Sequence, residues 1–305
     1  MKKKSNAVIL HHKMRVSRED RIFSIVLGIL MALTCIVLIY PLWYVLIASV
    51  TDPVVVSSGK FLLYPSKLYL DGFKRAFKYA PLWSGYRNTL VYTGIGTVLA
   101  LACTIPAGYE LSCKDLPGRR LILFLFTFVM FFQGGIIPLY LVIQKLKIYD
   151  TIWAVILPVA VSSYNLIVCR SFFESNLPDD IREAAAIDGC NEFRFFFEIA
   201  VPLSKTIIAV LCLFYATSLW NSFFNPLMFL ADQDKMPLQV VLRQLVLQNQ
   251  ANSITTSPEE IIMKQKLVEQ LKYCIVVLAS APLLIAYPFL QKYFTKGVML
   301  GSVKG

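Results

Sequence analysis

Side chains able to do acid–base, nucleophilic or metal chemistry are few, and their spacing excludes most of it. The only histidines, His11 and His12, stand side by side in a basic N-terminal stretch. The seven cysteines are Cys35, Cys103, Cys113, Cys169, Cys190, Cys212 and Cys274, and no Cys-x-x-Cys pair occurs among them. Metal knuckles and His-based catalytic triads need closer or better-matched groups, so neither a metal site nor a catalytic residue is expected. The phosphate loop Gly-x-x-x-x-Gly-Lys-Ser/Thr is absent, and Gly59-Lys60 lacks the rest of it. This chain is therefore expected to carry no cofactor and not to hydrolyse ATP itself.

The chemistry that remains is mechanical and concentrates in residues 174–205. Pro178 followed by Asp179 and Asp180 marks a helix start, because proline fits the first turn and acids there oppose the positive end of the helix dipole. Ala184, Ala185 and Ala186 keep one helix surface thin, so another protein can approach the backbone. Gly189 can stop that helix in a left-handed conformation. A second short helix follows, rich in phenylalanine (Phe193, Phe195, Phe196, Phe197), and Pro202 opens the next apolar run. The segment is too polar to cross a bilayer and too helix-prone for a loop. It reads as a helix-turn-helix presented to a partner.

A second set of residues is polar but sits within apolar runs. These are Gln133, Tyr164, Asn165, Tyr215, Ser218, Trp220, Asn221 and Asn225. Polar groups in lipid cost free energy, so they face a pathway or a neighbouring helix. Rings beside amides suit sugars: the ring stacks on the C–H face and the amide bonds the hydroxyls. Two readings stand, substrate contact and helix-to-helix bonding.

The elements that must position these residues follow from composition. Of 305 residues, 57% are hydrophobic and 16% charged, against about a quarter charged in soluble domains. Six apolar runs, 22–50, 88–111, 121–143, 152–173, 206–230 and 271–293, are each long enough to cross a bilayer, where only a helix satisfies its own backbone. The run 22–50 is too long for a cleavable signal and is expected to be a retained span. Tyr40, Trp43, Tyr44, Tyr140, Trp153 and Tyr293 stand at span ends, as an interfacial belt would place them. The net charge of +11 lies between the apolar runs rather than in one stripe, which argues against nucleic acid. Lys2, Lys3, Lys4, Lys13, Arg15, Arg18 and Arg21 precede the first span, so the N-terminus, the loop 112–120, residues 174–205 and the C-terminus are expected on the cytoplasmic side. Residues 51–87 and 231–272 are then long external segments. Gly94, Gly96, Gly134 and Gly135 can serve close packing or bending, and Pro106, Pro138, Pro158, Pro282 and Pro288 can break spans.

One arrangement is similar to a known family. Glu183-Ala184-Ala185, then Asp188-Gly189, then Ile199 and Val201-Pro202 in register, resembles the EAA motif of ABC importer permeases, with Val201 where the family usually has leucine. Lys114–Arg120, Gly134–Pro138, Thr151–Ala154, Trp220-Asn221-Ser222 and Pro237-Leu238-Gln239 resemble its carbohydrate branch, the MalG-related, LplC/YtcP-like permeases. The ending with Gly301, Val303, Lys304 and Gly305 is similar to tails that in this family reach the ATPase. The resemblance implies an all-α polytopic protein of six transmembrane helices with the type I importer fold. It implies a coupling role for Glu183, Ala184, Ala185, Asp188, Gly189, Ile199 and Pro202. It further implies a second homologous permease, two ATPase subunits that hold ATP and magnesium, an extracellular solute-binding protein and an oligosaccharide cargo, all at a bacterial cell membrane. On this reading residues 1–21 form a basic cytoplasmic tail and 22–305 the permease domain. Its core is about 85–294, its coupling segment 178–202 and its cytoplasmic tail 294–305. The rivals are an importer for peptides or amino acids, an ion-coupled secondary transporter, which needs an ionisable site inside a span, and a non-transporting scaffold.

Overall fold

The computed structural model describes residues 17–58, 63–65, 68–132, 134–251, 270–285 and 287–288, and among these every regular element is helical. The first, α1 (Arg18–Val50), has 33 residues and opens on a capping box: Ser17 Oγ accepts from the amides of Glu19 and Asp20, and Asp20 accepts from the Ser17 amide. Its apolar side chains are exposed along nearly the whole length, and only Ile47, Ala48 and Ser49 at its end are buried. Two short helices follow, α2 (Pro53–Ser57) and α3 (Asp71–Lys78), within the segment expected to be external. The next, α4 (Ala80–Ser112), again has 33 residues and starts eight residues before the expected span; Pro106 lies inside it without ending it.

Three of the expected spans are broken rather than straight. The run 121–143 divides into α5 (Arg119–Phe131) and α6 (Ile136–Lys145), bent by 116°. Gly135, just before α6, has φ 82°, a conformation that side chains with a Cβ avoid. The run 152–173 divides into α7 (Ile152–Ile156), a 3-10 turn containing Pro158, and α8 (Ser163–Asn176), which Ser162 caps, with a bend of 48°. After α9 (Asp179–Ile187), the chain runs through α10 (Glu192–Phe195), a π-turn at Phe196–Ala200 and α11 (Val201–Leu203). It then bends by 78° at Ser204 into α12 (Lys205–Trp220). The run 206–230 therefore ends as a span at Trp220, and α13 (Phe224–Phe229) is a separate short helix. The segment 231–272 is no plain connector: it holds a 3-10 turn and α14 (Leu238–Ala251), which buries Leu238, Val240, Val241 and Leu245. The last described helix is α15 (Gln270–Ile285). Thus α1 and α4 are each long and apolar enough to cross a bilayer, the bent pairs α5–α6 and α7–α8 lie in two further expected runs, and α12 and the 16-residue α15 lie in the last two.

The central column is α4, along which α8, α12 and α14 pack. An apolar helix gains little from burial when its solvent is lipid, so close contact at small residues must supply the attraction. Two glycines of α4 provide it. A Cβ on Gly96 would stand 2.7 Å from Leu219 Cδ1, and one on Gly108 2.7 Å from Cys169 Sγ. Gly94, by contrast, has nothing within 4 Å.

Candidate functional site

Polar groups gather at the two ends of α4. About 26 Å of helix separates Tyr92 from Tyr109, close to the roughly 30 Å of a bilayer's hydrocarbon core.

At the C-terminal end, α9 and α10 form one compact unit. Pro178 precedes α9 in an extended conformation, and Asp179 and Asp180 occupy its first turn. The helix stops at Gly189, φ 78°, with the Gly189 amide donating to Ala186 O at 3.0 Å and the Cys190 amide to Ala185 O at 2.9 Å. This pair of bonds is the Schellman ending that only a left-handed residue permits. Asn191 then caps α10 by accepting from the Arg194 amide at 2.8 Å. The turn directs Ala185 and Ile199 against a core of Tyr109, Cys169, Phe173, Phe195 and Phe196. Glu183, Ala184, Asp188 and Gly189 face outward, as does Pro202. Ile187 is 86% exposed, and Phe193 and Phe197, whose rings lie 4.7 Å apart, are exposed as well.

Charged groups fix this unit to α4. Arg182 Nε donates to Glu192 Oε1 at 2.8 Å, and Tyr109 donates its hydroxyl to Glu192 Oε2 at 3.0 Å. Lys114 pairs with Asp179 at 2.6 Å, which holds the Asp179 carboxyl below its usual range and raises the lysine. The Glu192 carboxylate likewise raises Arg182. Arg119 and Arg170 both donate to Leu111 O in the last turn of α4, at 2.8 and 3.3 Å, and both pair with Glu174. Cations at that terminus oppose the negative end of the helix dipole. A mostly apolar groove of about 380 Å³ lies alongside, lined by Pro106, Tyr109, Phe193, Phe196 and Phe197 together with Glu110 and Glu192.

At the other end, Asp150 ties the loop before α7 to residues 231–235. Its carboxylate accepts from the amides of Ala231 and Asp232 at 2.9 and 3.1 Å and pairs with Lys235 Nζ at 2.6 Å. Those bonds, with the Lys235 bond the largest, hold its carboxyl near a pKa of about 2. Asn88 donates to Asp234 O and Met236 O, Tyr92 donates to Lys235 O at 2.8 Å, and the Leu238 amide donates to Thr89 Oγ1 at 2.9 Å. None of these partners is adjacent in sequence, and no local pattern marks them.

The polar residues of the apolar runs do not form one cluster. Tyr215 is buried, its hydroxyl 2.7 Å from Thr104 Oγ1 and accepting from the Ser162 amide at 3.2 Å, so it joins α4, α8 and α12. Asn165 is buried in α8, its amide donating to Ser162 Oγ, while Tyr164 and Ser218 are exposed and Asn225 is half-buried. Trp220 is buried with its indole N–H unpaired among the described residues. Asn221 is exposed; it donates to Thr217 O at 2.9 Å and accepts from Gln239 Nε2 at 3.5 Å. Gln133, Gly301, Val303, Lys304 and Gly305 lie outside the described residues.

The family model for "binding-protein-dependent transport system inner membrane component" matches residues 7–300. Protein LplC of Bacillus subtilis (strain 168) is 37% identical over 295 residues, covering 96% of this chain and 99% of that protein. The polygalacturonan/rhamnogalacturonan transport system permease protein YtcP of the same strain is 36% identical, covering 94% and 100%. Among solved structures, a chain of a bacterial ABC transporter involved in the import of the acidic polysaccharide alginate superposes with a TM-score of 0.81. It is 31% identical and covers 91% of this chain and 98% of that one.

Proposed function

The chain belongs to the binding-protein-dependent transport system inner membrane component family, and from that membership we propose that it is a permease subunit that carries oligosaccharides into the cell in an ATP-driven importer. It is a transport subunit rather than an enzyme. The cargo reading rests on relatives named for saccharide transport: YtcP, the arabinooligosaccharide permease AraQ of Halalkalibacterium halodurans, and the alginate importer.

The single observation that carries the mechanism is the α9–turn–α10 unit, with Glu183, Ala184, Ile187, Asp188 and Gly189 turned outward while Arg182 and Glu192 tie it back to Tyr109 of α4. In this reading the unit docks on an ATPase subunit through Glu183, Ala184, Asp188 and Gly189, with Ala185, Ile199 and Pro202 holding its shape. ATP and magnesium belong to two such partners. Closure of the ATPases moves the unit as one body. Glu192 passes that motion to Tyr109, and unbroken α4 carries it across the bilayer to Asn88, Thr89 and Tyr92. The external segment 231–238 sits on those three residues, so motion begun at the ATPases reaches the mouth where a solute-binding protein delivers cargo.

The remaining assignments complete the reading. The α9 end is cytoplasmic, both termini lie on that side, and the six runs span a bacterial cell membrane. A second homologous permease supplies the other half of the pathway, and no nucleic acid is involved. Tyr164, Asn165, Tyr215, Ser218, Trp220, Asn221, Asn225 and Gln133 remain the pathway candidates, with Gly301, Val303, Lys304 and Gly305 as tail contacts to the ATPase. Uptake of labelled oligosaccharides by the complete complex in proteoliposomes, with ATP inside and binding protein outside, tests the proposal. Stimulation by peptides or amino acids instead would leave the importer and change the cargo.

A further inference from the structure

We infer that the junction of α12 and α14 recognises the carboxylate of an acidic saccharide through Arg243, with Phe223, Asn221 and Gln239 as its supports. The inference rests on the saccharide-importer reading above. The Arg243 guanidinium carbon lies 4.9 Å from the centroid of the Phe223 ring, and the residue is exposed. Among the described residues no carboxylate pairs with it. Arg119, Arg170, Arg182 and Arg194 each have one, whereas Arg18, Arg21, Arg75, Arg87 and Arg120 also lack one; among the described arginines it is the ring beneath it that sets Arg243 apart. A cation held by a ring keeps its N–H fork available, and that fork matches a carboxylate in two parallel bonds.

The surroundings fit a sugar. Gln239 lies one turn before Arg243 on α14, and its Nε2 stands 3.5 Å from Asn221 Oδ1. This bond is long and weak, so both amides are available to hydroxyl groups. The Phe223 ring offers an apolar face. Trp220, next to Asn221, is buried against Leu238 and Leu245 with its indole N–H unpaired among the described residues. The site stands at the same end as the Asp150–Lys235 pair, because α14 lies against Leu82 and Gly85 at the start of α4. A solute released at that mouth meets it before the spans. A neutral sugar can use the amides, the ring and single N–H groups; only an acidic one offers the guanidinium fork two parallel charge-assisted bonds.

The test is uptake by the complete complex in proteoliposomes, with its binding protein saturating, of trigalacturonate and of a panel of neutral trisaccharides. Arg243→Gln should lower the trigalacturonate rate about tenfold, the loss of one charge-assisted contact, and change neutral uptake less than about twofold. Arg243→Lys should fall between. Arg75→Gln, which removes another exposed cation at the same end, should change neither. Equal loss with acidic and neutral sugars would overturn the inference and assign Arg243 to acidic groups of the binding protein. Unchanged trigalacturonate uptake in Arg243→Gln would overturn it too. Wild-type transport of neutral sugars alone would remove the carboxylate site and leave the importer standing. ATP-dependent transport of none of these sugars would remove the saccharide reading itself.

Discussion

Arg182 on α9 and Glu192 on α10 meet at 2.8 Å across the Gly189 turn, and Glu192 also takes the Tyr109 hydroxyl at 3.0 Å. One carboxylate therefore joins the outward-facing unit to the helix that crosses the membrane. Arg182 is 29% exposed and Glu192 57%, so the pair contributes about 1 kcal/mol or less to stability. Its larger effect is on transmission. Arg182→Glu should leave the thermal midpoint of the complex nearly unchanged and lower uptake per ATP hydrolysed severalfold. The double variant with Glu192→Arg should recover part of that ratio. Paired uptake and phosphate-release assays read it.

Gly189 carries a different constraint. Its φ of 78° costs a residue with a Cβ about 1 kcal/mol, so Gly189→Ala should weaken coupling mildly. Gly189→Pro cannot adopt that φ and loses the N–H donated to Ala186 O. It should insert into the membrane normally and transport at less than about a tenth of the wild-type rate. Normal uptake by the proline variant would remove Gly189 from the coupling role.

The Asp150–Lys235 pair bears on pH. Asp150 is depressed from 3.8 to about 2, so its stabilisation is complete above the unfolded value and is lost as pH falls from 3.8 through about 2. Transport should show no dependence from this pair over about pH 5 to 8. Asp150→Asn removes the ion pair while keeping an oxygen for the Ala231 and Asp232 amides. Faster hydrogen exchange across residues 231–238, with a stability loss under about 1 kcal/mol, is the expected result.

Close packing makes a fourth prediction. A Cβ at Gly108 would meet Cys169 Sγ at 2.7 Å and Cys169 Cβ at 2.9 Å. Gly108→Ala should destabilise by about 1–3 kcal/mol. Combined with Cys169→Gly it should cost less than the sum of the two, read as thermal midpoints in a double-mutant cycle.

What the sequence made legible is local. Pro178, the two aspartates after it and Gly189 specify one helix and its ending through backbone rules that act within a few residues, and the structure has both. Apolar runs were equally plain, because lipid demands continuous hydrophobicity. Their breaks were not. Pro106 lies in an unbroken helix while Pro158 sits at a bend, since neighbouring packing decides which prolines interrupt a span. Distance hid the rest. Asn88 donates to a carbonyl 146 residues away, and Arg243 is defined by a ring on another helix, so neither has a local pattern to read. Tyr215 drew notice as a polar ring suited to sugar, and folding ties its hydroxyl to Thr104 and Ser162.

In the proposed function, force made by ATP hydrolysis on partner chains enters through the α9–α10 unit and moves a saccharide. The most direct measurement is oligosaccharide uptake into proteoliposomes by the complete complex, wild type and Gly189→Pro, with ATP supplied and ion gradients collapsed. Wild-type uptake should require ATP and the binding protein, and should be lost in the variant while the variant complex still assembles. Uptake that continues without ATP and follows an imposed ion gradient would contradict it.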